Sequence, residues 1–297
     1  MVRIATETLR AIENAMLRDQ GNAFRAAEQR WLPQMDDAYR QNNSGFRAHL
    51  GASLIGRECA REIWYGFRWA QKPTFDGRML RLFNRGHLEE ARFCALLEMI
   101  GCKLFQSDEN GKQYRISDVD GHFGGSGDGI ALGVPDLPAN EYCLLEFKTH
   151  SDKSFVKLTE NGVSIAKPEH FVQMQVYMYK MGLEHALYMA VNKNNDDIYA
   201  EIIAKDEEVG RAHIDRARTI IYLQQPPRKL SEKSSFFKCK FCDKRDICHN
   251  GKPMTRNCRT CIHAAPVVNG QWKCGYHNAI IPADFIEQTC VQWKQID

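Results

Sequence analysis

Tyr142-Cys143-Leu144-Leu145-Glu146-Phe147-Lys148 is an apolar run that carries an acid and an amine two residues apart. At the strand period of two, Cys143, Leu145 and Phe147 fall on one face, and Leu144, Glu146 and Lys148 on the other. A charged pair therefore shares one face near the strand's end. Upstream, Gly125-Ser126-Gly127-Asp128-Gly129-Ile130 reads as a tight approach into a neighbouring strand, with glycines that leave room for a phosphate backbone beside Asp128. Two carboxylates from adjacent strands make a hard oxygen site suited to magnesium or manganese, which activates water and neutralises charge building up on a phosphate. Lys148 is placed to orient that water or to stabilise the oxyanion. Glu-x-Lys alone is equally what a surface pair on a half-exposed strand looks like, so other segments must decide.

Two do. Pro168-Glu169-His170-Phe171-Val172-Gln173-Met174-Gln175-Val176-Tyr177 opens like a helix, with proline in its first turn, and closes at Gly182. Gln173 and Tyr177 then lie one turn apart on one face, and Gln175 with Tyr179 offers the same spacing one register later. Earlier, Arg85-Gly86-His87-Leu88-Glu89-Glu90 begins or interrupts an amphipathic helix that ends near Gly101. His87 is a candidate to complete the metal shell, with Glu90 as second choice.

In these four segments and their order, the chain resembles the PD-(D/E)XK nuclease superfamily, in the RecB-like branch that holds lambda-type phage exonucleases and CRISPR-associated iron–sulfur exonucleases. The resemblance runs from about Ser53 to Cys248. It implies that Asp128 and Glu146 hold magnesium or manganese, that Lys148 is the catalytic lysine, that His87 is the helix histidine, and that Gln173 and Tyr177 form the Gln-x-x-x-Tyr motif. A Gln-x-Gln pair also occurs in lambda-type enzymes, so Gln175 competes with Gln173. The implied activity is metal-dependent hydrolysis of DNA from its ends, leaning 5′ to 3′, in phage or prophage recombination or repair. DNA is then the partner, with a single-strand annealing or recombination protein and a ring-like homo-oligomer as further expectations. A structure-specific or single-strand endonuclease would use the same ligands. A catalytically idle nucleic-acid-binding scaffold is the rival from another class.

Eleven cysteines, with no secretory segment and no apolar stretch long enough to span a bilayer, suggest a reducing cytoplasm, that of a bacterium or a phage-infected host. Seven fall after residue 238, as Cys239-x2-Cys242-x5-Cys248 and Cys258-x2-Cys261-x12-Cys274-x15-Cys290, a clustering that calls for metal. The first cluster needs a fourth ligand. Ser53 to Tyr65 resembles the segment that supplies the distant cysteine in the iron–sulfur members, which implies Cys59 and a 4Fe–4S cluster. Zinc suits four thiolates equally, with His249 able to replace Cys59. The last cluster has the paired-thiol spacing of a small zinc module, with Cys258, Cys261 and Cys274 as ligands and Cys290 or His277 as the fourth. Cys94, Cys102 and Cys143 read as small buried hydrophobes.

The 297 residues, 43% of them hydrophobic, suffice for one sizeable core with small metal-stapled additions. A net charge of +3 is too small to argue for nucleic acid by itself. The best local patch is Arg57, Arg61, Trp64 and Arg68, opposite Ile55, Cys59, Ile63 and Ala70 on a helical wheel and joined by Arg81 and Arg85, where guanidinium groups would hold phosphates and a ring would stack on a base. A solvated helix face is the plainer reading of the same residues. Lys112 to Ile116 and Gly121 to Phe123 suggest a hairpin, Ala186 to Val191 and Asp197 to Ile203 a strand pair, and Asp206 to Gln224 a helix. Ser151 to Lys167, polar and poorly periodic, suggests a loop over the cleft. The expected fold is α/β, a mixed sheet flanked by helices: a helical cap over 1–50, a nuclease core over 51–250 and a Cys-rich module over 251–297.

Overall fold

Two amphipathic helices lead the chain, α1 (Thr6–Asp19) and α2 (Asn22–Trp31), followed by β1 (Leu50–Gly51), α3 (Ala52–Ile55), α4 (Ala60–Phe67) and the long α5 (Gly77–Met99). Short strands β2 (Lys103–Phe105), β3 (Arg115–Asp118), β4 (Phe123–Ser126) and β5 (Ile130–Leu132) precede β6 (Tyr142–His150), α6 (Asp152–Ala166) and α7 (Pro168–Met181). Then come β7 (His185–Asn192), β8 (Ile198–Ala204), α8 (Glu207–Tyr222), α9 (Phe237–Lys240) and α10 (Arg245–His249), and finally β9 (Ala264–Pro266), β10 (Trp272–Cys274) and β11 (Ala279–Ile281). The computed structural model describes residues 2–35, 46–107 and 113–296, so Lys112 of the expected hairpin and part of the expected cap lie outside the described residues. The fold is mixed α/β. Among the described residues no helix is long and apolar enough to cross a membrane.

The chain forms two compact units, one of Met1–Asn42, Phe75–Ile116 and Ser126–Gly210, the other of Asn43–Thr74, Ser117–Gly125 and Arg211–Asp297. In the first, a five-stranded sheet has the order β2-β5-β6-β7-β8, in which only β6 and β7 run parallel. A parallel pair needs a crossover, and α6 with α7 supplies it. One face of β6 follows the expected alternation: Cys143, Leu145 and Phe147 pack with Phe93, Cys94 and Leu97 of α5 and Ile12 of α1. Phe93 stacks on Phe147 at 5.0 Å between ring centroids. Leu97, Leu145 and Leu187 have no exposed surface, and burial of each stabilises by about 2 kcal/mol.

The stretch from Ser151 to Lys167 is a helix, not the expected loop. Its apolar stripe is only Phe155, Leu158 and Val163, too narrow to register as periodicity, and Gly162 (φ 72°) breaks it. The Glu201 carboxylate accepts the Val163 N–H at 2.8 Å, so the backbone donor freed by that break is satisfied. α7 follows its sequence signals, with Pro168 at the start and Gly182 in the left-handed conformation (φ 67°) at the end. Behind it, Gln175 accepts from Asp206 N (2.6 Å) and donates to Ala204 O (3.0 Å). Gly210 lies so close that a Cβ there would meet Tyr179 Cβ at 2.7 Å and Gln175 O at 2.9 Å.

In the second unit β1 runs parallel to β4, and β9, β10 and β11 form an antiparallel sheet of order β11-β10-β9. The face expected to carry DNA is interior at two of its four residues and half-buried at Arg57 and Arg61. Trp64 and Arg68 have no exposed surface, and Trp64 Nε1 donates to Leu223 O at 3.0 Å. Arg61 donates to Pro227 O at 2.9 Å, and Arg57 is ion-paired with Glu62. Arg81 and Arg85 belong to α5 in the other unit, where Arg85 donates to Lys193 O at 3.1 Å. A helical wheel identifies a polar face but not its cover, and here backbone carbonyls replace water. Arg68 donates to Ala264 O and Leu223 O, each at 3.0 Å. Arg259, 2% exposed, donates to Phe67 O (3.1 Å) and Ala48 O (2.8 Å). The Trp272 ring lies within 5.0 Å of both guanidinium carbons, and that of Trp69 is 3.8 Å from Arg259's. Burial lowers Arg68 to about 10 and, with Arg68's charge added, Arg259 to about 9.

Candidate active site

Glu146, Lys148 and His150 occupy alternate positions of β6 and so project from the face opposite the α5-packed core. Asp128 sits just before β5, where the Ile130↔Leu144 ladder ends, and its Oδ2 accepts the Phe147 N–H at 2.7 Å. Contrary to the expectation from sequence, Gly127 and Gly129 do not make room for a ligand. A Cβ at Gly127 would lie 3.3 Å from Leu144 Cδ1, and one at Gly129 (φ 136°) would lie 3.2 Å from Phe105 O, so they serve the chain's own close approach.

Lys148 Nζ is ion-paired with Glu146 Oε1, lies 3.9 Å from Asp128 Oδ2 and donates to Phe147 O at 3.0 Å. From α7, Gln173 Nε2 donates to Glu146 Oε2 at 3.1 Å, and one turn on, Tyr177 donates to Ser126 O at 2.9 Å. Of the two candidate glutamines, Gln173 reaches the acids and Gln175 faces away. Glu146 has no exposed side-chain surface whereas Lys148 keeps 26%, so the cluster is approached from the lysine's side.

Burial pushes the Glu146 carboxyl up to about 7, with the nearby Asp128 adding to the shift and Lys148 opposing it. Burial also disfavours the Lys148 charge, but Glu146 and Asp128 outweigh it and hold the ammonium above its ordinary range. Glu90 is likewise raised, by burial first; His87 and Lys148 lower it and Asp128 raises it. Three carboxylates thus press on one ammonium. Hard, negative oxygen donors are the chemistry that magnesium or manganese takes, but among the described residues these side chains do not bring three ligand atoms within 4.8 Å of one another.

His87 and Glu90, one helical turn apart on α5, approach each other (Nδ1 to Oε1, 3.5 Å). Glu90, the second choice from sequence, is the member whose charge couples to Asp128 and Lys148. Three further residues line the site without any signal in the motifs. The Tyr188 hydroxyl, on the β7 residue paired with Glu146, bridges His150 Nε2 (2.9 Å) and His170 Nδ1 (3.0 Å). Burial lowers both imidazoles, His150 to about 4 and His170 to about 2, so both are neutral near pH 7. The available clues were His150 two positions beyond Lys148 and His170 three before Gln173.

The cysteines of the first cluster and Cys59 all lie in the second unit, with Cys59 capping α4, Cys239 in α9 and Cys248 in α10. Cys242 is raised to about 11, chiefly by burial and in part by Cys59, and Cys248 is raised by burial, with Cys59 and Cys239 contributing. His249 Nε2 is buried with no hydrogen-bond partner among the described residues. Among the described residues, the trio of metal-ligating side chains with atoms within 4.8 Å of one another is Glu62, Cys242 and Asp243. The last cluster lines a cavity of about 280 Å³: Cys258, Cys261, Cys274 and Cys290, joined by His277 and by His263, which sequence reading passed over. Cys258 is raised to about 11 by burial and then by the other three thiols.

The sequence matches no protein-family model, and it matches no curated protein. Partial structural similarity is found to an alkaline exonuclease, LHK-Exo, from Laribacter hongkongensis (15% identity, 65% of this chain and 90% of that one, TM-score 0.41) and to LHK-Exo in complex with dAMP (13%, 65% and 90%, TM-score 0.42). It is also found to the solved structure of SSO0001 (18%, 77% and 97%, TM-score 0.40).

Proposed function

We propose that the first unit is a magnesium- or manganese-dependent deoxyribonuclease that hydrolyses phosphodiester bonds from DNA ends, in phage or prophage recombination or repair and leaning 5′ to 3′. One observation carries this reading. Lys148 Nζ stands between Glu146 and Asp128, in a desolvated cluster whose carboxylates exceed its ammonium groups. Asp128 and Glu146, with Glu90 or His87 completing the set, would hold the divalent ion, which when bound supplies Lewis-acid activation of water and of the scissile phosphate. Lys148 Nζ orients the attacking water and offsets charge on the phosphoryl oxygens. Gln173 fixes the Glu146 carboxylate through Oε2, and the Phe147 N–H fixes Asp128 through Oδ2. Tyr177 holds the approach to Asp128 through Ser126 O. The end-directed subtype rests on the motif resemblance alone.

For the second unit we propose zinc at Cys258, Cys261 and Cys274 with Cys290, His277 or His263 as the remaining ligand, supported by the cavity they share. A 4Fe–4S cluster at Cys59, Cys239, Cys242 and Cys248 is the reading the motif resemblance favours there, with zinc and His249 as the alternative.

End-labelled linear DNA and covalently closed circles, each single and double stranded, test the activity. Linear DNA should be degraded only with added magnesium or manganese, and loss in Lys148→Ala and Glu146→Gln should exceed a hundredfold. Undiminished cleavage by both variants would overturn the assignment. Cutting of closed circles would replace end-directed action with the endonuclease reading.

A further inference from the structure

Between positions 228 and 245 of the second unit, seven basic residues (Arg228, Lys229, Lys233, Lys238, Lys240, Lys244 and Arg245) stand against two acidic ones (Glu232 and Asp243), in a chain whose total charge is only +3. Within that stretch, Phe236-Phe237-Lys238-Cys239-Lys240-Phe241 interleaves rings with lysines. Phe237 and Phe241 each leave 71% of their surface exposed, and Phe236 leaves 41%. Cys239 points inward at 8%. A cluster of rings left in water marks a contact surface, whereas isolated exposed apolar residues do not. The Phe237 and Phe241 rings meet edge to face, with centroids 5.4 Å apart and planes at 70°, and Lys240 Nζ lies 5.6 Å from the Phe241 ring centre. Rings and cations therefore form one surface.

The chemistry of that surface selects its occupant. Protein interfaces enrich aromatic residues but are depleted in lysine, so lysines alternating with the rings favour a polyanion. Membrane-surface binding uses a helix with a broad apolar face, and α9 has four residues. A polyanion with flat apolar faces at regular intervals is single-stranded nucleic acid. We propose that Phe237 and Phe241 stack on unpaired bases of single-stranded DNA while Lys233 and Lys240 hold its phosphates. The inference rests on the nuclease reading for its substrate class, since removal of one strand from a duplex end leaves the other unpaired.

Binding of a fluorescent oligo-dT by anisotropy, without added magnesium or manganese, tests it. Stacking predicts a loss of about tenfold for each ring removed, hence about a hundredfold in Phe237→Ala/Phe241→Ala, with affinity kept in Phe237→Tyr/Phe241→Tyr. Because both rings are exposed, the alanine variant should unfold at the wild-type temperature, which separates lost contact from lost fold. Wild type should also prefer oligo-dT over an abasic oligomer of equal length. Equal affinity for the two oligomers, or an alanine variant that binds oligo-dT like wild type, overturns the proposal. So does a variant that loses only its binding to anionic phosphatidylserine vesicles. Ring-dependent binding by a protein that cleaves no DNA would sink the nuclease reading and leave this surface standing.

Discussion

Each unit buries a cluster of like charges, and the two clusters are resolved in opposite ways. In the first, Glu146, Asp128 and Glu90 crowd one ammonium, and burial drives Glu146 and Glu90 toward their neutral forms. In the second, Arg68 and Arg259 lie together in the interior, answered by backbone carbonyls and indole faces. A carbonyl or a ring face satisfies a guanidinium without a counter-charge, because its planar fork matches several acceptors at once. Carboxylates have no such neutral remedy beyond donated hydrogen bonds; Phe147 N and Gln173 donate to the acid cluster, and Lys148 pairs with Glu146 as its ammonium. Apart from Arg68 Nε and Arg259 Nε, which are buried with no hydrogen-bond partner among the described residues, the arginine cluster is complete within the chain; the acid cluster carries charge that a bound cation would balance.

Removing a member of the complete cluster should cost most. Arg259→Met leaves the carbonyls of Phe67 and Ala48 without their donor, each worth roughly 1–3 kcal/mol when buried, so urea denaturation should show a loss of about 3 kcal/mol. Wild-type stability in this variant would erase the contrast. The acid cluster should respond in the other direction. A carboxyl raised from 4.5 to about 7 contributes stability fully below about pH 4.5 and loses it as the pH rises through 7. His150 and His170, lowered from 6.5, act in the opposite sense, contributing fully above 6.5 and losing that contribution as the pH falls toward 4. The difference between Glu146→Gln and wild type isolates the carboxylate. In metal-free protein the variant should gain on wild type between about pH 4.5 and 7, by on the order of 3 kcal/mol. A pH-independent difference would remove the strain attributed to the acids. The smallest effect should come from Tyr177→Phe, which deletes one hydrogen bond to Ser126 O: about 1 kcal/mol of stability and a few-fold in turnover.

Some of this was readable in the residues. The alternation in β6 survives because one face meets α5 and the other carries the charges, and Pro168 and Gly182 bound α7 through their own backbone geometry. Gln173 and Gln175 could not be separated, since both register with a tyrosine four positions on; the packing of α8 against the back of α7 separates them. The helix after Ser151 leaves no legible period in the sequence, because three apolar contacts suffice when Glu201 repairs its break. From sequence Arg68 belongs to a phosphate-holding patch or a solvated face, because sequence records a charge and not the carbonyls that receive it. The His150, Tyr188 and His170 bridge joins β6, β7 and α7, so no local pattern announces it.

The absence of a side chain at Gly210 gives the molecule a remote point of control. Any larger residue there must push against Tyr179 and the Gln175 carbonyl, and α7 would have to tilt or slide as a rigid rod. Gln173 rides on that rod, so its grip on Glu146 would loosen although nothing near the acids had changed. A substitution on the neighbouring helix would thus act as a misaligned lever, leaving the chemical groups intact but out of aim.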